Sequence, residues 1–204
     1  MLIEVETYSG TIRNRFPLIK GGTMRADAKR NVDALVEAAK TVFARSGVDA
    51  PAKEITDLAG VGVGTLYRHF PRRSELIVAV MQHEIDECVT AAEDLASTLG
   101  PWDALVGWMD RFTAFVATKQ GLATALHSGD PAYDGLPERL LLQLEPALRA
   151  LLDRAIAAGV ARRDVTASDV ITTISLLSQS VPNQAPAFNQ RMTQVFIEGL
   201  RLSR

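Results

Sequence analysis

The chain has 204 residues, 47% of them hydrophobic, and a formal net charge of −2. That length holds one large domain or two small ones around a sizeable core, while no apolar run approaches the ~18 residues that a membrane-spanning helix needs. Glu4, Glu6, Arg13 and Arg15 interrupt the apolar core of any secretory signal, and the single cysteine, Cys88, cannot form an internal disulfide, so a cytoplasmic protein is expected.

The charge is unevenly spread. Residues 1–74 carry 12 Lys and Arg against 8 Asp and Glu, a balance of +4, whereas residues 75–204 carry 10 against 16, a balance of −6. A basic front half suits an anionic partner, although a solvated basic face accounts for the charge as well.

Residues 1–23 show no sustained helical period and end in Ile19-Lys-Gly-Gly-Thr23, which predicts a flexible extension over residues 1–24. From Asn31 onward, Val32, Leu35, Val36, Ala39, Val42 and Phe43 recur at the spacing of an amphipathic helix, and Gly47 ends it. Pro51 suits the first turn of a second, short helix that carries Ile55, Leu58 and Ala59 toward a core. A third helix is predicted from Val63 to His69, stopping before Pro71. The fourth is long, with Leu76, Ile77, Val80, Met81, Ile85, Cys88, Val89, Ala92, Leu95 and Leu99 on one continuous face, and it ends at Gly100-Pro101. Cys88 falls on that stripe, which favours a buried small hydrophobe over a reactive thiol.

Further helices are predicted over 102–118, 120–127, 136–158, 167–181 and 187–202. Thr166-Ala-Ser-Asp169 reads as a capping box with Asp in place of Glu, and Pro146 either kinks or splits the segment that contains it. No stretch alternates with period two for long enough to make a strand. The expected fold is all-α, with about nine helices.

Between the second and third helices stands Ala59-Gly-Val-Gly-Val-Gly-Thr-Leu-Tyr-Arg-His-Phe70, with three glycines at alternate positions. A dinucleotide fingerprint needs G-x-G-x-x-G after a strand, and a phosphate loop needs Gly-Lys-Ser/Thr at its end. Here the third glycine comes one residue early, no lysine follows Gly64, and a helix precedes, which argues against a nucleotide site. The spacing suits a helix-turn-helix: Gly60 is free to adopt the left-handed conformation of the turn, Val61 plugs the junction, and Leu66 anchors the second helix. Gly62, Val63, Thr65, Arg68 and His69 are then available to point outward. A tight helical corner with no binding role meets the same spacing.

These residues carry a resemblance. Ala38-Ala39 with Phe43-Ala-Arg-Ser-Gly47, then Ile55-Thr-Asp-Leu-Ala-Gly-Val61, Gly64-Thr-Leu-Tyr-Arg-His-Phe70 and Arg73-Ser-Glu-Leu76, resemble the DNA-binding domain of the tetracycline-repressor (TetR) family of transcriptional regulators. The resemblance implies a helix-turn-helix DNA-binding domain over residues 25–74 and a helical ligand-binding and dimerisation domain over residues 75–204. It makes Val63 to His69 the recognition helix and assigns Thr65, Tyr67 and Arg73 to the phosphate backbone, a role that two hydroxyls and a guanidinium can fill as donors. Arg68 and His69 could reach base edges or phosphates, Arg68 being the better match to guanine. Gly62 and Val63 stand where Ser and Lys are frequent in that family, which limits readout there to backbone approach and a Val contact with a thymine methyl. Thr56 replaces a usual Ala, and Ala50-Pro51 replace a hydroxyl-bearing pair, so the operator sequence is not predictable. Arg13, Arg15, Lys20, Arg25, Lys29 and Arg30 form either an arm along the DNA backbone or minor groove, or a plain solvated tail.

The same resemblance implies a small-molecule effector, a double-stranded DNA operator and a homodimer, with no cofactor. Trp102, Trp108, Met109, Phe112, Phe115, His127 and Tyr133 gather bulky, polarisable groups, among which Trp108, Phe112, Phe115 and His127 are the candidate effector-binding residues; core packing is the plainer explanation of any one of them. Val170, Ile171, Ile174, Leu177 and Val181, then Phe188, Met192, Val195, Phe196 and Leu200, mark two amphipathic helices suited to a four-helix interface between subunits. Two recognition helices roughly 34 Å apart would then read a palindrome. The expected function is a ligand-responsive transcriptional repressor. A helical small-molecule module without DNA binding is the rival; it leaves the helix-turn-helix spacing unexplained. An enzyme is disfavoured because no Ser/His/Asp set or carboxylate pair appears. His69, His83 and His127 lie far apart, and His83-Glu-Ile-Asp-Glu87 lacks the second histidine of a zinc-protease helix, so neither a catalytic nor a metal site is indicated.

Overall fold

The computed structural model describes residues 21–121, 126, 128–179, 181 and 185–202. They form α1 (Gly21–Ser46), α2 (Ala52–Ala59), α3 (Val63–His69), α4 (Arg73–Thr98), α5 (Pro101–Gly121), a 3-10 turn at Pro131–Tyr133, α6 (Leu136–Ala157), α7 (Ala167–Leu177) and α8 (Pro186–Gly199), with no strand among the described residues. None of these helices is long and apolar enough to cross a membrane.

On α1 the stripe of Leu35, Val36, Ala39, Val42 and Phe43 is buried, as its period predicts. The helix already includes Gly21 to Met24, inside the stretch expected to be a flexible extension. Once nucleated, a helix propagates through good formers such as Met24, Arg25, Ala26, Ala28, Lys29 and Arg30 without needing a buried face, so a missing stripe does not mark its start. The basic residues Arg13, Arg15 and Lys20 lie outside the described residues.

Helix α5 continues through the break expected near residue 119, and most of the helix expected over 120–127 lies outside the described residues. Pro146 sits within an unbroken α6, where Leu144 and Leu148 are buried on either side of it and packing holds the helix across the missing N–H. The Thr166 box forms: Thr166 Oγ1 accepts from the Asp169 N–H at 3.1 Å, and Asp169 Oδ2 accepts from the Thr166 N–H at 2.8 Å. Helix α7 stops at Leu177, short of the expected residue 181, and α8 stops at Gly199. Beyond α8 the chain turns back onto the loop after α6, with Leu202 N–H donating to Val160 O at 3.1 Å and Arg162 N–H to Leu200 O at 2.9 Å.

Helix α4 packs against α1, α5 and α6, and one contiguous core runs from Leu35 and Phe43 through Ile77 and Ile85 to Trp108, Leu148 and Ile174. Each fully buried Leu, Ile or Phe in it contributes about 1.5–3 kcal/mol relative to exposure. Burial pushes the Cys88 thiol up to about 11, in keeping with a buried small hydrophobe. Val170, Ile171, Ile174 and Leu200, expected at a subunit interface, are instead buried within the chain. The reason is that α7 and α8 must each commit an apolar stripe to their own subunit in order to fold; Leu176, Val181 and Val195 are what remain exposed.

Candidate nucleic-acid interface

The turn between α2 and α3 is built by its backbone. Gly60 sits at φ 68°, ψ 28°, its N–H donates to Asp57 O at 3.4 Å, and the Val61 N–H donates to Thr56 O at 3.1 Å. This left-handed residue reverses the chain at low cost only because it has no Cβ. Thr65 N–H to Gly62 O at 2.8 Å then opens α3. Ile55 and Leu66 are buried on the facing sides of the two helices. Leu58, expected to face the core, is exposed. Ala52, Ile55, Thr56 and Ala59 lie on the inner face, so its centre turns toward Thr56, whose buried hydroxyl is satisfied by donating to Lys53 O at 3.1 Å.

With Leu66 turned inward, α3 presents Val63 (41% exposed), Tyr67 (53% exposed) and Arg68 to solvent, with Thr65 and His69 half-buried along the margins. Neither Gly62 nor Gly64 has a positive φ, and a Cβ at either position would meet nothing within 4 Å. The chain's own packing and backbone therefore do not require glycine at either position.

Most neighbouring cations are engaged. Arg45 pairs with Glu54 at 3.2 Å, Lys53 with Asp57 at 2.7 Å and Arg72 with Glu75 at 3.0 Å. Arg68 has no ion-pair partner among the described residues, which leaves its guanidinium free for an external anion. Arg73 is placed differently from the α3 residues. It is half-buried, its guanidinium donates to the Ala50 carbonyl and lies 5.5 Å over the Phe43 ring, and it thereby ties the start of α4 to α1 and to the segment before α2. Arg72, not singled out from sequence, is exposed at the same corner; only its position just outside a helix start could have signalled it.

The chain that carries this apolar-backed turn and short helix matches known proteins over most of its length. Residues 35–80 match the family profile described as bacterial regulatory proteins, tetR family, and residues 100–202 match the profile described as the C-terminal domain of SbtR-like transcriptional regulators. The chain belongs to the TetR family of transcriptional regulators. A solved TetR transcriptional regulator from Streptomyces coelicolor is 34% identical with a TM-score of 0.71, covering 85% of this chain and 99% of that one. A TetR transcription regulatory protein from Mycobacterium vanbaalenii is 32% identical with a TM-score of 0.71, covering 88% and 99%. An HTH-type transcriptional regulator of Staphylococcus aureus (strain USA300) is 40% identical over 68 residues, which is 33% of this chain and 37% of that relative. This TetR-family chain is thus a DNA-binding regulator and not an enzyme, and a module without DNA binding is set aside.

The other residues named from sequence lie in its C-terminal part. Trp108, Phe112 and Phe115 are buried side by side on α5, with Trp108 and Phe112 stacked at 5.5 Å and 14° and Phe112 to Phe115 at 6.1 Å. His127 lies outside the described residues.

Proposed function

We propose that this regulator is a repressor that binds a palindromic operator as a homodimer and lets go of it when a small molecule binds. The observation that carries the reading is the exposed α3 face, where Tyr67 and Arg68, the latter without an ion-pair partner among the described residues, stand beside the exposed Gly64. Arg68 is assigned to a base edge, with His69 beside it, Thr65 and Tyr67 to phosphates, Val63 to a thymine methyl, and Gly62 to close backbone approach. Arg73 acts mainly by holding the corner from which its free N–H groups face the backbone. On this reading residues 25–74 are the DNA-binding domain and residues 75–204 the effector and dimerisation domain, and the protein works in the cytoplasm, where its DNA is.

Leu176 on α7, Val195 on α8 and Val181 between them support a dimer through α7 and α8, since exposed apolar groups on adjacent terminal elements gain from mutual burial. Trp108, Phe112, Phe115 and His127 are assigned to an apolar or amphipathic effector. Because α4 packs on both α1 and α5, a shift at α5 can reach the DNA-reading helices as a rigid displacement. Such couplings are typically about 1–3 kcal/mol, roughly 5–150-fold in affinity.

The experiment is selection of bound sequences from random DNA by the purified protein at physiological salt. An inverted repeat with half-sites about one helical turn apart, roughly 34 Å, is the expected product. Enrichment of a single unrepeated site would overturn the palindrome, and absence of any enrichment would overturn sequence-specific repression.

A further inference from the structure

We propose that Glu37, His83 and Glu87 form a binding site for a first-row divalent metal ion of the Zn²⁺ type, bridging α1 and α4. The site is independent of the α3 face and of the α5 aromatics. His83 and Glu87 are four residues apart on α4 and therefore stack on one face of it, and Glu37 reaches them from α1. One donor atom from each residue lies within 4.8 Å of the others. His83 Nε2 stands 3.9 Å from Glu87 Oε1 and contacts Glu37 Oε1 directly. A tetrahedral ion with ligands at about 2.0–2.2 Å holds its donors roughly 3.4 Å apart, so small side-chain rotations suffice to close the three around one ion.

The surroundings favour a cation. Glu87 Oε2 is already held by Lys40 at 3.1 Å and Arg111 at 3.4 Å, which orients the carboxylate and leaves Oε1 facing His83. Lys40 also pairs with the buried Glu84. Glu37, Glu84 and Glu87 against Lys40 and Arg111 leave one uncompensated carboxylate charge beside the His83 imidazole. The side chains of Glu37, His83 and Glu87 are 51%, 33% and 34% exposed, so an ion can enter from solvent and water can fill the remaining position. One imidazole nitrogen with two carboxylate oxygens favours Zn²⁺, Co²⁺ or Ni²⁺ over the purely oxygen-seeking Mg²⁺ and Ca²⁺. A bound ion would pin α1, on which α2 packs, to α4, and so restrain the DNA-reading helices against the rest of the chain.

The test is calorimetric titration of the full-length protein with Zn²⁺ in a metal-free, non-chelating buffer, alongside Mg²⁺, for the wild type, Glu37→Gln and His83→Gln. Expected are one saturable Zn²⁺ per chain in the wild type, its loss in both variants, no saturable Mg²⁺ binding, and a higher thermal midpoint for wild type alone when Zn²⁺ is present. Circular dichroism of the metal-free variants checks that loss of binding is not loss of fold, and two variants on different helices guard against one failing to fold. Zn²⁺ binding undiminished in both variants would place the ion elsewhere and overturn the proposal, as would the absence of saturable binding to wild type.

Discussion

The indole N–H of Trp108 donates to the main-chain carbonyl of Cys88, 2.8 Å away, joining α5 to the middle of α4. Trp108 is fully buried and stacked on Phe112, so this bond is shielded from water. Trp108→Phe removes the donor and leaves a gap beside it, and it should lower the unfolding free energy by about 1–3 kcal/mol. Denaturant titration measures this; an unchanged midpoint and slope would show that the contact contributes nothing to holding α5 on α4.

Gly60 and Gly64 should respond in opposite ways. Gly60→Val forces a β-branched residue to φ 68° and should abolish DNA binding while most helicity remains, because the strain is confined to the turn. Gly64→Ala meets no neighbour and removes a helix glycine, so it should raise stability by about 0.5–1 kcal/mol while weakening DNA binding through the methyl group added to the open face. Thermal melts and mobility shifts separate the two; a Gly64→Ala protein that binds DNA as wild type would remove that face from the interface.

Arg68 and Arg73 differ in the same manner. Arg68→Ala should leave the melting temperature unaltered, cost about 1–3 kcal/mol of operator affinity and relax the base preference at one position, as mobility shifts on operator variants would measure. Arg73→Ala should lower the melting temperature as well, since it frees the Ala50 carbonyl and uncovers Phe43, and should weaken binding to all DNA sequences about equally. Tyr67→Phe is expected to be equally indifferent to sequence. Equal melting temperatures for the wild type and Arg73→Ala would contradict the structural role assigned to Arg73.

The α7 cap makes a pH-dependent contribution. Hydrogen bonds from the Thr166 hydroxyl and then the Thr166 backbone N–H hold the Asp169 carboxyl below its ordinary value of 3.8. A depressed carboxyl contributes stability above its unfolded value and loses it as pH falls through the lower folded value, so the cap weakens only in acid below about pH 4. Thr166→Ala should cost about 1 kcal/mol at neutral pH and flatten this part of the acid profile. Parallel acid-side slopes for the two proteins, measured by thermal melts across pH, would refute the assignment.

Much of the site was legible in the linear order of residues because it is made by local chemistry. The Gly60 turn, the Thr166 cap, the stripe on α4 and the span of α3 each depend on residues within a few positions of one another, where backbone sterics and helical period act directly. The family resemblance rested on the same short-range features.

What tertiary structure decided was which face each helix turned inward and which distant residues met. Leu58 and Thr56 both had a place on a plausible inner face of α2, and only packing against α1 and α3 selected Thr56. Val170, Ile171 and Ile174 carried a stripe fit for either a core or a partner, and the chain's own α5 and α6 took it. Arg73, a phosphate ligand by resemblance, also engages Ala50 and Phe43, far back in the chain, and no local pattern signals those contacts. Glu37 stands far from His83 and Glu87 in sequence, and no spacing rule links them. Periodicity records that a helix has an apolar face, but the partner for that face is set by burial summed over the whole chain, which short-range order does not contain.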